Sequence, residues 1–465
     1  MQRLTGLDAA FLSLETPSAH MQVMGVAVVD PTTSPRGFSH EHVRELLESR
    51  LHLIPPFRRR IVEVPFGVHA PLWIEDPAFD LDYHLRRAAV PAPGGEHELA
   101  AFVADVASRP LDRTRPLWEA WVVEGLDHGY YAFIAKIHHS LIDGASGVEI
   151  LASLFDLEPD PEPKVSDIAP EWEPEHVPGD VELLSHAALS LATRPVQFVK
   201  AANNLGRSVV RGVRRARERE LDVPLPLTAP RLSMNRSITP HRKVAFESVP
   251  LADIKTAKNA LDVTVNDIVL SVAAGALRSY LLRRNELPDR ALVAAIPTNI
   301  RAEGERELGN RVSTMFASLP VEIENPLARV EAVASSTTGW KQVHEVVDTD
   351  TLEEWAGVAA PVVFSRAMRL YGRLRIGERM RPAINVIVSN VPGPGFPLYL
   401  AGARLVSLHP LGPIFDDCGL NLTVMSYLDH VDFGFIACRE LVPDVDELAA
   451  AIPDALAEIM KAAEA

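Results

Sequence analysis

The sequence predicts an α/β (α+β) chain built as two similar-sized halves joined by a long crossover connector. Three observations predict it. Short apolar strand patterns alternate with helix patterns in both the first and the last parts of the chain. A stretch rich in Pro, Glu and Asp interrupts that alternation at 158–179. Finally, 465 residues exceed what one hydrophobic core ordinarily holds. The division expected is 1–157, 158–238 as connector, and 239–465.

In order, residues 21–29 form a continuous apolar run of strand length. Residues 40–51 place Val43, Leu46, Leu47 and Leu51 along one side of a helix. Residues 130–138 read as a second strand, and Val148, Leu151, Leu154 and Phe155 follow at helical spacing. Past the acidic linker, 181–221 predict one or two helices broken at Pro195, and a Pro-rich piece at 224–240 leads into a strand at 243–249. The second half then repeats the alternation. A helix is expected at 263–282, a short buried strand at 291–297, and another at 383–391 that stops at Pro392-Gly393-Pro394. Residues 419–427 and 431–438, separated by Leu428-Asp429-His430, predict a β-hairpin.

Charge and composition narrow the function classes. A net charge of −16 repels phosphodiester backbones, so no nucleic-acid partner is expected. Two cysteines, Cys418 and Cys438, fit a reducing cytoplasmic setting, each as a buried structural thiol. The first twenty residues lack the apolar core of a signal peptide, and no stretch reaches about 18 uncharged apolar residues. A soluble or peripheral protein is expected.

The chemistry concentrates in His138-His139-Ser140-Leu141-Ile142-Asp143-Gly144. Alternation along the preceding strand puts Tyr131, Phe133, Ala135, Ile137 and His139 on one face, and Lys136 with His138 on the other. His139 thus ends an apolar face. A dry setting there keeps an imidazole neutral and usable as a base. Asp143 is placed to turn back and brace the loop, and Gly144 to allow a backbone approach that a side chain would block. A buried histidine pair without chemistry is the plain alternative. A metal site is the other, but adjacent strand residues point apart, so no metal is expected.

The motif resembles the active-site signature of the chloramphenicol-acetyltransferase-like superfamily, which includes carnitine acyltransferases and peptide-synthetase condensation domains. More specifically, the chain resembles the bacterial wax ester synthase/acyl-CoA:diacylglycerol acyltransferase family. The residues that carry this run nearly end to end: Leu7-Asp8-Ala9-Ala10-Phe11-Leu12, Glu15-Thr16-Pro17, Pro116-Leu117-Trp118-Glu119, Asn266-Asp267, 297–301 with Gly309-Asn310, and Ser389-Asn390-Val391-Pro392-Gly393-Pro394. The resemblance implies two sandwich domains with the active site at their interface. It also implies direct transfer from long-chain acyl-CoA, a co-substrate with no separate cofactor, to diacylglycerol or a fatty alcohol.

In that scheme His139 is the general base, with His138, Asp143 and Gly144 completing the motif. The resemblance makes Asn266 a candidate oxyanion donor, with a helix-starting role for Asn266-Asp267 as the alternative. It also puts Pro116-Leu117-Trp118 near a substrate channel, against simple packing of Trp118, and Ser389-Asn390 near the domain interface, against a turn-forming role. Residues 205–221 carry Arg207, Arg211, Arg214, Arg215, Arg217 and Arg219 with Leu205, Val209 and Val213 at helical spacing. Such a helix either packs on the protein with a solvated basic face or lies on anionic lipid at a membrane or inclusion. Two other functions fit the motif less well: a condensation-type enzyme using a carrier-bound thioester, and a catalytically idle coat protein of lipid inclusions.

Overall fold

In the computed structural model the described residues are 2–4, 6–67, 69–141, 150–161, 174–191, 224, 228–299, 312–344, 370 and 380–464. The expected strands form, and each apolar run finds a sheet to occupy. The first part of the chain gives β1 (Gln2–Arg3), β2 (Gln22–Asp30), β3 (Arg59–Val62), β4 (Leu72–Glu75), β5 (Leu85–Ala89), β6 (Trp118–Glu124) and β7 (Tyr131–His138). The second part gives β8 (Arg242–Pro250), β9 (Leu292–Asn299), β10 (Val312–Leu319) and β11 (Val386–Val391). It continues with β12 (Tyr399–Leu400), β13 (Ala403–Leu411), β14 (Leu420–Tyr427) and β15 (His430–Cys438).

Among the described residues these strands make two six-stranded sheets and one of three strands. The first large sheet runs β12-β13-β2-β7-β6-β5, and the second β10-β9-β11-β14-β15-β8. The division by halves did not anticipate the first of these. Strands β12 and β13 come from the second part of the chain, and β13 pairs antiparallel with β2 from Arg404↔Asp30 to Leu411↔Met24.

Helices cover the sheets where the sequence carries apolar stripes. Helix His40–Arg50 starts on Ser39, whose Oγ accepts from the His42 amide, and buries Val43 and Leu47 against the first sheet. Helix Glu96–Ala107 fills the space between that sheet and β8, with Val103 and Ala107 buried beside Val244 and Phe246. Helix Val265–Arg283 is long and apolar enough to cross a membrane by composition, but most of it lies in the core of the second sheet. Helices Leu251–Leu261, Pro326–His344 and Ala451–Ala463 enclose it, which is why it is apolar on every side.

The two large sheets meet where β13 crosses β15. A methyl at Gly434 would lie 2.0 Å from the Pro410 carbonyl oxygen, so only glycine permits the approach. Beside it, the fully buried Asp432 accepts from the Leu408 amide at 2.7 Å and the Ser248 hydroxyl at 2.6 Å. His430 Nε2 lies 3.4 Å from the same carboxylate. The hairpin before it is tighter than the sequence suggested: Tyr427 pairs directly with His430, leaving Leu428 and Asp429 as the link, with Leu428 at φ 52°.

The Asp432 carboxylate and Asp429 raise His430 to about 9. A histidine whose folded value exceeds its unfolded one contributes stability fully below about pH 6.5, lost as pH climbs through about 9. The thermal midpoint is therefore expected to fall across that window, and to fall less in His430→Gln. Asp432→Ala, which strands the buried Leu408 amide and removes the partner of Ser248 and His430, is expected to cost about 3 kcal/mol. Denaturant titrations at pH 6 and pH 9 check both; equal pH slopes for the parent and His430→Gln would refute the assignment.

Candidate functional site

The histidine motif lies at the end of β7, between the starts of β2 and β6. The His138 amide donates to the Leu117 carbonyl at 2.9 Å, and the His139 amide to the Met21 carbonyl at 2.8 Å. Backbone pairing on both sides thus fixes this strand end, and successive side chains must leave on opposite faces.

The two faces differ from the sequence expectation in an informative way. Lys136 and His138, on what reads as the polar side, are each about 1% exposed, whereas His139 is only partly buried. His138 is locked into the structure. Its Nδ1 accepts from the Ser140 amide at 3.1 Å and lies 2.8 Å from Ser140 Oγ. That leaves the proton on Nε2, which faces Glu15 Oε2 at 3.9 Å. Burial, then Arg113 and His139, hold His138 well below the ordinary histidine range. A ring so enclosed has no room for a reacting hydroxyl, so the part expected for His138 in catalysis becomes a structural one.

His139 is the accessible ring. Its plane stacks on Phe11 with centroids 4.1 Å apart and 18° between planes. Phe11 comes from helix Gly6–Leu14, which buries Ala9 and Leu12 against Leu111 and Leu117. Arg113 braces the end of this helix: Nη2 donates to the Leu12 carbonyl at 2.7 Å, and Nε to Glu15 at 2.9 Å. Sequence reasoning noted Phe11 and Glu15 only as part of a resemblance. Nothing in their spacing signals a contact to a residue more than a hundred positions away.

The remaining expected residues sort as follows. Pro116 and Leu117 are buried and serve the frame through the Leu117 carbonyl. Trp118 is closed on both sides, stacked on Phe57 at 4.5 Å and His84 at 4.6 Å, while its Nε1 donates to the Phe57 carbonyl at 2.8 Å. Its indole packs the core and offers no face to a substrate channel. Asp267 is likewise structural. It forms a capping box with Thr264 and accepts from Thr337 at 2.7 Å, starting helix Val265–Arg283. Asn266, one residue earlier, is partly exposed and accepts from Asn390 Nδ2 at 3.5 Å.

Ser389 and Asn390 lie within β11, paired to Thr423 and Val424, rather than in the turn. Val391, which ends that strand, and Leu141, which follows the motif, pack on the same apolar cluster of the first sheet. Asp143 and Gly144 lie outside the described residues, as do Arg301, Gly309, Asn310 and the basic segment 205–221.

The wax ester synthase/diacylglycerol acyltransferase catalytic domain matches residues 4–269, and the C-terminal domain of the same proteins matches 308–460. A putative diacylglycerol O-acyltransferase of Mycobacterium tuberculosis H37Rv is 36% identical over 468 residues, covering 100% of this chain and 91% of the relative. Another, of Mycobacterium bovis, is 33% identical over 461 residues, covering 98% of each. The chain superposes on the wax ester synthase/diacylglycerol acyltransferase of Marinobacter aquaeolei VT8 with a TM-score of 0.72, at 27% identity and full coverage of both chains. The fold is also that of the first condensation domain of the calcium-dependent antibiotic synthetase, with a TM-score of 0.58 at 15% identity, covering 100% and 97%.

Asp267 provides a check on the division between frame and site. Asp267→Ala is expected to lose about 1–2 kcal/mol of stability through the lost cap and the lost hydrogen bond from Thr337, whose hydroxyl keeps only the Ala334 carbonyl. Its KM values should stay within about twofold of the parent. Denaturant unfolding together with steady-state kinetics separates the two; a raised KM at unchanged stability would return Asp267 to the substrate site.

Proposed function

Because the chain belongs to the wax ester synthase/diacylglycerol acyltransferase family, we propose that it is an acyl-CoA-dependent O-acyltransferase that esterifies diacylglycerol to triacylglycerol and also accepts fatty alcohols. The observation that carries the reading is the contrast between the two motif histidines: one ring is locked in the core, and the other is presented at the strand end.

In this reading His139 takes the proton of the acceptor hydroxyl as its oxygen attacks the thioester carbonyl carbon. Positioned general-base help of this kind is worth about 10²–10⁴-fold. The tetrahedral oxyanion needs donors, and Asn266 supplies its amide, oriented through the contact from Asn390. Collapse breaks the C–S bond, and His139 returns the proton to the departing CoA thiolate. Acyl-CoA is thus a second substrate, and no step calls for a cofactor. Asp143 and Gly144 shape the loop after the motif.

The acceptors are insoluble, so the enzyme must reach a lipid surface. We place it in the cytoplasm, with peripheral contact to membrane or lipid inclusions through 205–221. Two observations support the contact. The six arginines of that segment suit anionic headgroups. In addition, Phe66 and Val181 are 82% and 83% exposed on a turn and a helix that pack together.

Product analysis with long-chain acyl-CoA and competing diacylglycerol and fatty alcohol tests the function. Ester from either acceptor supports it; thiol release only from a carrier-bound thioester indicates the condensation-type enzyme, and no turnover at all an idle coat protein. His139→Ala is expected to lose at least about 10²-fold in kcat with an unchanged thermal midpoint. A fully active His139→Ala would remove the base. For the lipid contact, replacing Arg207, Arg211, Arg214 and Arg215 by Gln should weaken co-sedimentation with anionic liposomes, most at low salt. Activity on a short, soluble acceptor should be unaffected. Unchanged co-sedimentation would assign the segment to the protein's own packing.

A further inference from the structure

The base proposed above needs more than a backbone position, because an imidazole on one Cβ still rotates about two side-chain bonds. The Leu117 and Met21 carbonyls hold the strand end by its backbone, which fixes where the ring starts and not where it points. Phe11 lies nearly parallel to the ring at 4.1 Å, a contact that restrains its plane. An aromatic pair at such a distance favours one rotamer over its neighbours by roughly two- to tenfold.

Phe11 is itself well held. Its helix is tied to the core through Ala9 and Leu12, with the Ser13 hydroxyl donating to the Ala9 carbonyl at 2.7 Å. Arg113 then joins the Leu12 carbonyl to Glu15, the carboxylate that faces His138. One arginine therefore sets the height of the helix against the same strand end that carries both histidines. Phe11 remains partly exposed, as does His139, so the pair borders the site rather than the deep core.

The geometry points to Phe11 as a positioning residue that fixes the plane of His139 and keeps water from one of its faces. This rests on His139 as the base. It has a chemical consequence. Water can take the place of the acceptor hydroxyl: its oxygen bonds to the acyl carbon, the C–S bond breaks, and the proton collected by His139 passes to the CoA thiolate. The products are free acid and thiol. The space that Phe11 fills beside the ring would otherwise admit such a water to the in-plane nitrogen, so emptying it lets hydrolysis compete with ester formation.

The experiment compares Phe11→Ala, Phe11→Leu and Phe11→Tyr in the full-length enzyme. It follows thiol release from a long-chain acyl-CoA and ester formation with diacylglycerol in the same reaction. Phe11→Leu retains apolar volume without a flat face, and Phe11→Tyr retains the face. Phe11→Ala and Phe11→Leu are expected to lose about tenfold in kcat for ester, with KM for acyl-CoA within about twofold. Their ratio of free acid to ester should rise several-fold, and Phe11→Tyr should restore both quantities. A purely structural Phe11 would lower the thermal midpoint and leave the acid-to-ester ratio unmoved.

Phe11→Leu guards against a Phe11→Ala chain that does not fold. An unchanged ratio in folded Phe11→Leu, or a Phe11→Tyr that behaves like Phe11→Leu, overturns the proposal. His139→Ala in the same assay separates it from the reading beneath it. If His139→Ala loses both ester and acid while Phe11→Leu matches the parent, the stack fails and the base stands. If His139→Ala keeps full activity, the base itself fails.

Discussion

The crossing of β13 over β15 is the contact on which the rest of the molecule depends. Two large sheets can be held face to face by apolar side chains alone, at a spacing near 10 Å. Here the backbones come much closer, because Gly434 has no side chain to meet the Pro410 carbonyl. Such an approach buries polar backbone groups, and each must find a partner. Asp432 supplies one by taking the Leu408 amide, while Ser248 and His430 satisfy the rest of its carboxylate. Burial raises the cost of that charge, yet the partners hold Asp432 below its ordinary range. The strand so pinned is also the one that the second part of the chain lends to the first sheet. The first sheet is incomplete without that loan, whereas the second draws all six of its strands from the second part.

Much of the fold was legible because it follows from local pattern. Residues 21–29 and 130–138 become β2 and β7 nearly to the residue, since an unbroken apolar run of that length has few other uses. The helix expected at 263–282 forms over Val265–Arg283, its start marked by Thr264 and Asp267. What local pattern could not show was partnership. Nothing in 399–411 distinguishes a strand that stays in its own sheet from one that leaves it. The asymmetry lies in Gly434 and Asp432, some twenty residues away in sequence.

The site was legible as a motif and misread as an environment. Alternation correctly sends His138 and His139 to opposite faces, but it cannot say which face is the drier. The side with Lys136 looked polar, yet Lys136 is buried, its Nζ donating to the Arg109 carbonyl at 2.7 Å, and burial lowers it to about 8. Its charge misled because a long side chain can reach a backbone acceptor inside the protein. For Trp118 and Asp267 the sequence left packing and helix-starting roles open beside substrate contact, and the structure places both in those roles. Motif residues maintained for framework duty look, in one sequence, the same as residues that touch substrate.

These two levels meet in the register of β7. Because side chains on a strand repeat every two residues, a slip of one position would exchange the surroundings of His138 and His139. The locked ring would then face the site, and the open ring would lose its place beside Phe11. Pairing with β6 resists such a slip, because Lys136 lies opposite Glu119 and its buried Nζ must reach the Arg109 carbonyl. Pairing with β2 adds a second constraint, Gln22↔His138 through Val29↔Tyr131. β2 is held in turn along its other edge. That edge belongs to β13, whose position is fixed by the second sheet through Asp432 and the Gly434 approach. The crossing strand therefore does more than join two layers. Through β2, it helps to set which histidine the protein presents.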